Sequence, residues 1–418
     1  MVSVLGVQRY KKMSLEFIVY RMMLRLGDGE QEWVLIILYF CCMKKSIILP
    51  HCKSLLIRKL MLHYVETGEV MAVSPDECSD VQVTHRALMT VQASEGDTVD
   101  VADCGAAYRF MMALLAVTPG RWLLTGTPRL LERPMEELVE VLSGIGANIR
   151  RVSDGWLVEG KPLQAEMLTI NCSRSSQFAS ALLLISSKLG LKKLNIVPAN
   201  AGSLSYVRMT LACLHEQVDV PGVEPPSEID RLPGDWSAAA FWYAQSLLHP
   251  GEEYELCALS LPSLQGDAVL AEWFARMGVQ STATTQGVRV WANGKPELPP
   301  MTFDVADHPD LVPVLAALAC RLPADFTFLH IRNLRYKESD RAEQLAEQLA
   351  PFAEIMDLQE DILRIKGKSK IFWSQPPYRF HTMNDHRLAM AFLLFGKEAQ
   401  LDNITCLRKS YPALITLI

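Results

Sequence analysis

No CxxC or CxxH spacing occurs in this chain of 418 residues. Its ten cysteines are scattered singly apart from the pair Cys41–Cys42. A structural zinc centre of the usual ligand spacing is therefore excluded, and a reducing cytosol is the simplest setting. An excess of positive charge is also missing: 41 Lys and Arg stand against 47 Asp and Glu, a net charge of −6. Nothing global then draws the chain to nucleic acid or to an acidic membrane, and any anionic ligand must be held by a local basic cluster. Long hydrophobic runs are absent as well. The stretch "WVLIILYFCCM", Trp33 to Met43, has 11 apolar residues, too few to cross a bilayer, and no A-x-A-like cleavage site marks a signal peptide. Residues 1–42 read as an extension of doubtful status, or as the result of a start placed ahead of Met43, which opens "MKKSIILP".

What remains is an ordinary globular composition, 50% apolar and 21% charged, long enough for two or more cores. Three stretches repeat one order of helix, strand and strand: "PMEELVEVLSGIGANIRRVSDGWLVEGKPL", "GDAVLAEWFARMGVQSTATTQGVRVWANGKPELPP" and "SDRAEQLAEQLAPFAEIMDLQEDILRIKGKSK". The second strand ends in "EGKP", "NGKP" or "KGKS", so the architecture is built from repeated α/β units. Further helices are entered through polar or Gly-containing steps near Ser54, Gly105, Ser175, Asp235, Asp310 and Asp385, and two of them close at Gly68 and Gly190. That is the usual capping asymmetry, and each such residue can be read simply as a cap. The Pro- and Gly-rich stretch Val220 to Trp236 suits a crossing between two domains.

One helix start poses a question. In "HIRNLRYKESDRAEQLAEQLA" the pair Asp340 and Glu343 fits an acid-x-x-Glu opening, and Ala342, Leu345, Ala346 and Leu349 form one apolar stripe. Arg341 then lies in the first turn, where a cation is disfavoured by about 0.3–1 kcal/mol, with Lys337 just upstream. An anion bound there would explain both; a solvated charge run is the alternative. Arg129 and Arg133 in "PRLLERP", His386 and Arg387 in "NDHR", Lys53, Ser54 and Arg58 in "LPHCKSLLIR", and Lys409 in "CLRKSYP" keep it company. Five basic sites of this kind in a net-acidic chain point to a cleft that collects phosphates and carboxylates.

The stretches "LPHCKSLLIR", "DCGAAYR", "LTGTPRLLERP", "SSQFASALL", "SLSYVRMTL", "GDWSAAAF", "HPDLVPVLAALA", "NLRYKESDR", "NDHRLAMAF" and "RKSYP" follow one another within the span Ser46 to Pro412. In this set and order the chain resembles the 5-enolpyruvylshikimate-3-phosphate (EPSP) synthase family of the enolpyruvyl transferase superfamily. The resemblance implies a two-domain inside-out α/β barrel, each domain made of three α/β units with buried helices and outer sheets. Residues 43–52 plus 235–418 would form one domain and 53–234 the other, with crossings near 52 and 234. It implies transfer of the enolpyruvyl group of phosphoenolpyruvate (PEP) to the 5-hydroxyl of shikimate 3-phosphate with release of phosphate, in the shikimate pathway. No metal or cofactor, no nucleic acid and no membrane is expected, and the enzyme would be a cytoplasmic monomer.

The resemblance also assigns residues. Asp310 would take the hydroxyl proton, Lys337 would transfer a proton and stabilise charge, and Glu338 would serve the methylene carbon. Lys53, Ser54, Arg58, Ser175, Ser176, Gln177, Ser203, Tyr206, Asp310, Asn333 and Lys337 would contact shikimate 3-phosphate. Lys53, the Gly105 backbone, Arg129, Gln177, Arg341, Arg387 and Lys409 would clamp PEP. Asp235 and Asp385 are left as caps. The chain departs from the family at His51–Cys52, where Gly-Ser is usual, and at Asp103 in "DCGAAYR", where Asn is usual. An acid near an anion site is unhelpful unless protonated or paired, with Arg109 as the expected partner. The ending "ALITLI" is also short of the family's closing aromatic and helix. A degenerate non-catalytic relative and a UDP-sugar enolpyruvyl transferase are the alternatives; the latter branch is expected to use a cysteine on a mobile loop.

Overall fold

A computed structural model describes residues 44–93, 98–198, 202–215, 217–223, 232–294 and 298–417 with their side chains, and 3–12, 15–25 and 31–38 as backbone. Those last three segments are antiparallel strands paired with one another. The start expected at Met43 and most of the crossing at 224–231 lie outside the described residues.

Each of the three sequence repeats folds as its periodicity predicts. Helix Glu136–Gly144 is followed by strands Asn148–Val152 and Gly155–Gly160. Helix Leu270–Arg276 is followed by Val279–Ala283 and Gly287–Ala292. Helix Arg341–Leu349 is followed by Ala353–Leu358 and Ile362–Gly367. In every case the two strands pair antiparallel and join two further strands that run parallel to each other: Thr98–Asp100 with Gly120–Thr125, Lys44–Ile48 with Glu253–Cys257, and Met301–Asp304 with Asp325–Leu329. The result is one four-stranded order used three times. Two shorter parallel pairs, Met167–Asn171 with Lys193–Val197 and Tyr378–Phe380 with Ala399–Leu401, add partial copies.

The glycine that closes the second strand has a packing reason. A Cβ on Gly160 would run into the Thr118 carbonyl oxygen, and one on Gly367 into that of Ala319. In these two units the strand end lies directly against the end of a central helix, whereas a Cβ on Gly294 of the remaining unit would meet no atom within contact distance. Those helices are apolar on all sides, as an interior helix must be. Gly105–Val117 buries every residue but Ala106, and Val312–Arg321 every residue but Arg321. Strands such as Met167–Asn171 and Met301–Asp304, by contrast, alternate buried and more exposed positions. Buried apolar side chains fall into two large clusters, one spanning Leu56 to Val223 and the other joining Ile47 and Leu49 to residues 236–414. Between the clusters the chain passes twice, side by side: the Cys52 amide donates to the Pro233 carbonyl at 2.9 Å and the Asp235 amide to that of Pro50 at 3.0 Å.

Several caps differ from expectation. Asp235, Asp340 and Asp385 do accept backbone N–H bonds at helix starts. Asp310 does not: its helix begins at Val312 behind Leu311, and the carboxylate is turned elsewhere. Helix Lys53–Thr67 starts one residue before Ser54, behind Cys52, and closes at left-handed Gly68. The helix expected to run unbroken to Gly190 is split at Ile185, with Gln177–Leu184 on one side and Ser186–Leu189 on the other. At the end of the chain Leu414–Leu417 form a helical turn, Leu414 buried and Leu417 exposed. No helix among the described residues is long and apolar enough to cross a membrane.

Candidate active site

Helix starts converge between the two clusters. Lys53, Gly105, Gln177, Arg341 and His386 are each the first residue of a helix, and all five line one cavity of about 870 Å³, its open mouth included. Three of these helices belong to one cluster and two to the other. Unpaired backbone N–H groups and the positive ends of helix dipoles thus share one space, which favours anions.

Every residue assigned to shikimate 3-phosphate lies on this wall: Lys53, Ser54, Arg58, Ser175, Ser176, Gln177, Ser203, Tyr206, Asp310, Asn333 and Lys337. Arg58 is there chiefly to brace it. Its guanidinium donates to Thr210 Oγ1 at 2.7 Å, Ser180 Oγ at 3.1 Å and the carbonyls of Ser54 and Tyr206, tying three helices together. Gln177 Oε1 is buried and has no hydrogen-bond partner among the described residues. Lys53 is held by Asp80, 2.8 Å from its Nζ. Burial is the largest influence and disfavours that ammonium, but nearby negative charge, Asp80 first and then Glu338, together outweighs it and the pKa is raised.

The proposed PEP clamp divides. Lys53, Gly105, Gln177 and Arg341 line the cavity. Arg387 and Lys409 sit just behind it, reaching Asp310 at 3.3 Å and Glu338 at 3.8 Å. Arg129 does not line it. Half exposed, it pairs with Glu132 and donates to the Glu338 carbonyl at 3.2 Å. Arg133, four residues on, lines the wall instead and donates to the Tyr336 carbonyl at 3.2 Å. Gly105 also serves differently from expectation. A Cβ there would collide with the Arg133 guanidinium, so the missing side chain makes room for an arginine of the protein. Arg174, beside the serine pair, is a further lining residue that sequence reasoning did not single out; it is held by Glu136 and Glu137.

The question of Arg341 is answered by three carboxylates. It lies in the first helical turn behind the Asp340 cap, fully buried, and bonds Asp385 at 2.8 Å, Asp310 at 2.8 Å and Glu338 at 2.7 Å. The anions that the cation needs are supplied by the protein, not left to a ligand. Arg387 is different: its Nε and NH1 are buried without a hydrogen-bond partner among the described residues. Asp310 receives Arg341, Lys337 at 3.4 Å and Arg387 at 3.3 Å. Burial pushes its pKa up, but Lys337, Arg387 and Arg341 pull it well below the usual carboxylate range. Glu338 behaves alike: burial is outweighed by Arg341 and Lys409. His386 is buried, with neither ring nitrogen bonded among the described residues, and burial together with Lys53 and Arg387 pushes its pKa well down, which favours the neutral ring. Asp103 pairs with Lys409 at 2.8 Å across the two clusters; the expected partner Arg109 instead donates to the carbonyls of Gly105 and Pro134.

Comparison with known proteins matches residues 58–417 to the model of the family described as EPSP synthase (3-phosphoshikimate 1-carboxyvinyltransferase). A 3-phosphoshikimate 1-carboxyvinyltransferase of Bacteroides fragilis is 32% identical over 395 residues, covering 88% of this chain and 93% of its own. The chain belongs to the EPSP synthase family. A relative of the same name from Thermococcus kodakarensis is 29% identical over 87% of this chain and 94% of its own. The EPSP synthase fold is also that of a solved EPSP synthase from Acinetobacter baumannii, with a TM-score of 0.63, 19% identity, and 90% and 94% of the two chains covered. The enolpyruvyl transferase NikO from Streptomyces tendae superposes with a TM-score of 0.61, 15% identity, and 89% and 93% covered. Among the described residues no cysteine lines the cavity. The two next to its wall in sequence, Cys52 and Cys104, are buried, and desolvation pushes both thiols up, which leaves them unsuited to act as nucleophiles.

Proposed function

We propose that this EPSP synthase family member is a 3-phosphoshikimate 1-carboxyvinyltransferase. It joins the enolpyruvyl group of PEP to the 5-hydroxyl of shikimate 3-phosphate and releases phosphate, a step of the shikimate pathway. The observation that carries the reading is the convergence of five helix starts and of Lys53, Arg133, Lys337 and Arg341 on one cavity wall, in a chain matched to the family across residues 58–417. Two substrates rich in phosphate and carboxylate need such a field to sit side by side.

The chemistry is addition followed by elimination. The substrate hydroxyl loses its proton and its oxygen bonds to C2 of PEP while C3 gains a proton. The tetrahedral adduct then loses a proton from C3 as the C2–O bond to phosphate breaks. Asp310 is the base for the hydroxyl. Its low pKa keeps it ionised, and substrate anions that take up Lys337 and Arg387 relieve part of that pull and make it a stronger base. Lys337 carries protons, being the lysine that touches Asp310 on the cavity wall beside the permanently charged Arg341. Glu338, held as a carboxylate by Arg341 and Lys409, suits removal of the C3 proton in elimination better than its delivery. Ser175, Ser176, Gln177, Ser203 and Asn333 seat shikimate 3-phosphate. Lys53, Arg387 and Lys409 hold PEP, and Arg133 takes the place of Arg129 in that clamp.

The larger frame follows the same reading. We assign residues 43–52 and 235–418 to one domain and 53–234 to the other, arranged as an inside-out α/β barrel pair. The two apolar clusters, the paired crossings at 50–52 and 233–235, and the buried central helices support it. The eight free thiols among the described cysteines suit the cytoplasm. The deciding assay is release of inorganic phosphate, expected only when shikimate 3-phosphate and PEP are both present; no release above background overturns the proposal. Asp310→Asn is expected to keep ligand binding and to lose about 10²–10⁴ in turnover, and unchanged turnover removes Asp310 from the mechanism.

A further inference from the structure

Lys409 is engaged on several sides. Its ammonium lies 2.8 Å from Asp103 Oδ2, 3.0 Å from the Asp103 carbonyl oxygen and 3.8 Å from Glu338 Oε1. Asp103 comes from the opposite apolar cluster, on a turn that cannot easily swing away. Ala102 before it has a left-handed φ of 47°, its amide donates to Asp100 Oδ1 at 2.7 Å, and its carbonyl accepts from the Thr127 amide at 2.7 Å.

Lys53 offers a comparison within the same molecule. It too has a carboxylate 2.8 Å away, but the Asp80 side chain is only 7% exposed. A carboxylate so buried cannot leave its partner without losing both the ammonium and water, so Asp80 positions Lys53 permanently. The Asp103 side chain is 34% exposed while that of Lys409 is 5% exposed. If another anion takes the lysine, Asp103 can be rehydrated where it stands. The two pairs match in length and differ in exchangeability.

We propose that Asp103 is an internal competitor for PEP: a carboxylate of the protein that occupies Lys409 and sets the affinity for the enolpyruvyl donor through it. The inference rests on the reading of Lys409 as part of the PEP clamp. PEP must either displace Asp103 from the ammonium or add its own negative charge beside it, and both weaken binding. Shikimate 3-phosphate, seated at the serine and Lys337 side of the cavity, is not subject to this competition.

The test uses the full chain with Asp103→Asn, which keeps the shape and removes the charge, and Asp103→Glu, which keeps the charge. Steady-state kinetics are paired with calorimetric titration of PEP in the absence of shikimate 3-phosphate, so that binding is read without turnover. Asp103→Asn is expected to lower both KM and Kd for PEP about tenfold, equivalent to about 1.4 kcal/mol, with kcat and KM for shikimate 3-phosphate within about twofold. Asp103→Glu is expected to stay within about twofold of the parent for PEP. A raised KM and Kd for PEP in Asp103→Asn would mean that the carboxylate orients Lys409 for the ligand. Unchanged values with a lowered melting temperature would mean that it only ties the two halves together. Either result overturns the proposal. Absence of turnover in the parent chain counts against the proposed function, whereas the titration still reads the effect of Asp103 on PEP binding.

Discussion

Arg341 and Arg387 are both buried guanidiniums at helix starts, yet they do different work. Arg341 has Nε, NH1 and NH2 bonded to Asp385, Asp310 and Glu338. Its removal leaves three carboxylates facing one another without their common cation. Arg341→Met is therefore expected to lower stability by about 3–5 kcal/mol, read as a shift in the urea midpoint. Arg387 contributes one bond, to Asp310, and keeps Nε and NH1 unpartnered among the described residues. Arg387→Met is expected to cost less stability than Arg341→Met, because one hydrogen bond is lost instead of several, and to raise the Kd for PEP at least about a hundredfold. Equal stability loss in the two variants would show that the buried pairing misidentifies their roles.

His386 supplies a pH signature. Its pKa in the folded protein lies well below the ordinary histidine value of 6.5, pushed down by burial and by Lys53 and Arg387. Below pH 6.5 the unfolded chain binds a proton that the folded protein refuses, so stability falls as pH drops from 6.5 toward the folded pKa. The slope approaches about 1.4 kcal/mol per pH unit for one proton. Above pH 6.5 this contribution is fully present. Asp310 and Glu338, also depressed, add a second loss as pH falls below their ordinary values of 3.8 and 4.5 and continues toward their folded values. His386→Gln is expected to flatten the first decline and leave the second, measured by urea midpoints in buffers from about pH 7 to about pH 2.5; a profile unchanged between about 6.5 and 5 would mean that the ring titrates normally.

At the scale of the element, the repeated unit explains why so much of the fold is legible. Helix Arg341–Leu349 follows from its stripe of Ala342, Leu345 and Leu349, all buried, and from the Asp340 cap. The glycine of "KGKS" was a punctuation mark in the sequence and is a packing contact in the structure. Gly367→Ala places a methyl group against the Ala319 carbonyl oxygen, backbone that cannot step aside, and is expected to cost at least about 1–3 kcal/mol. Gly68→Ala has no atom within contact distance and loses only the left-handed freedom of a C-cap, about 1 kcal/mol. Thermal unfolding of the two variants separates crowding from backbone conformation. The break at Ile185 was not legible, because neither Gly nor Pro interrupts the run before Gly190. Nor was the true position of Asp310: an acid before an apolar run has the pattern of a cap whether or not its carboxylate turns back to the backbone.

For the whole molecule, the two apolar clusters and the double crossing decide which distant residues meet. Strand Lys44–Ile48 stands at the edge of its sheet, paired to Glu253–Cys257 some two hundred positions later, so the second cluster closes only after the 53–234 segment has been threaded between them. The backbone segments 3–12, 15–25 and 31–38 pair with each other. A chain beginning at Met43 is accordingly expected to fold with the same melting temperature within about 2 °C and to keep its turnover; loss of either would make the first 42 residues part of the fold.

The repeats, the caps at Asp235, Asp340 and Asp385, and the basic character of the helix starts were determined by the sequence itself, because periodicity and capping depend on neighbours within a few positions. Family membership was equally legible, carried by motifs spread in order along the chain. Only the tertiary structure decided that Arg133 rather than Arg129 lines the cavity, that Gly105 makes room for that arginine, that Arg341 is neutralised by Asp310, Glu338 and Asp385, and that Asp103 reaches Lys409 instead of Arg109. Each of these is a contact between charges far apart in the chain or on neighbouring elements. Their energy depends on distance and burial, and neither quantity exists until the two halves have folded against each other.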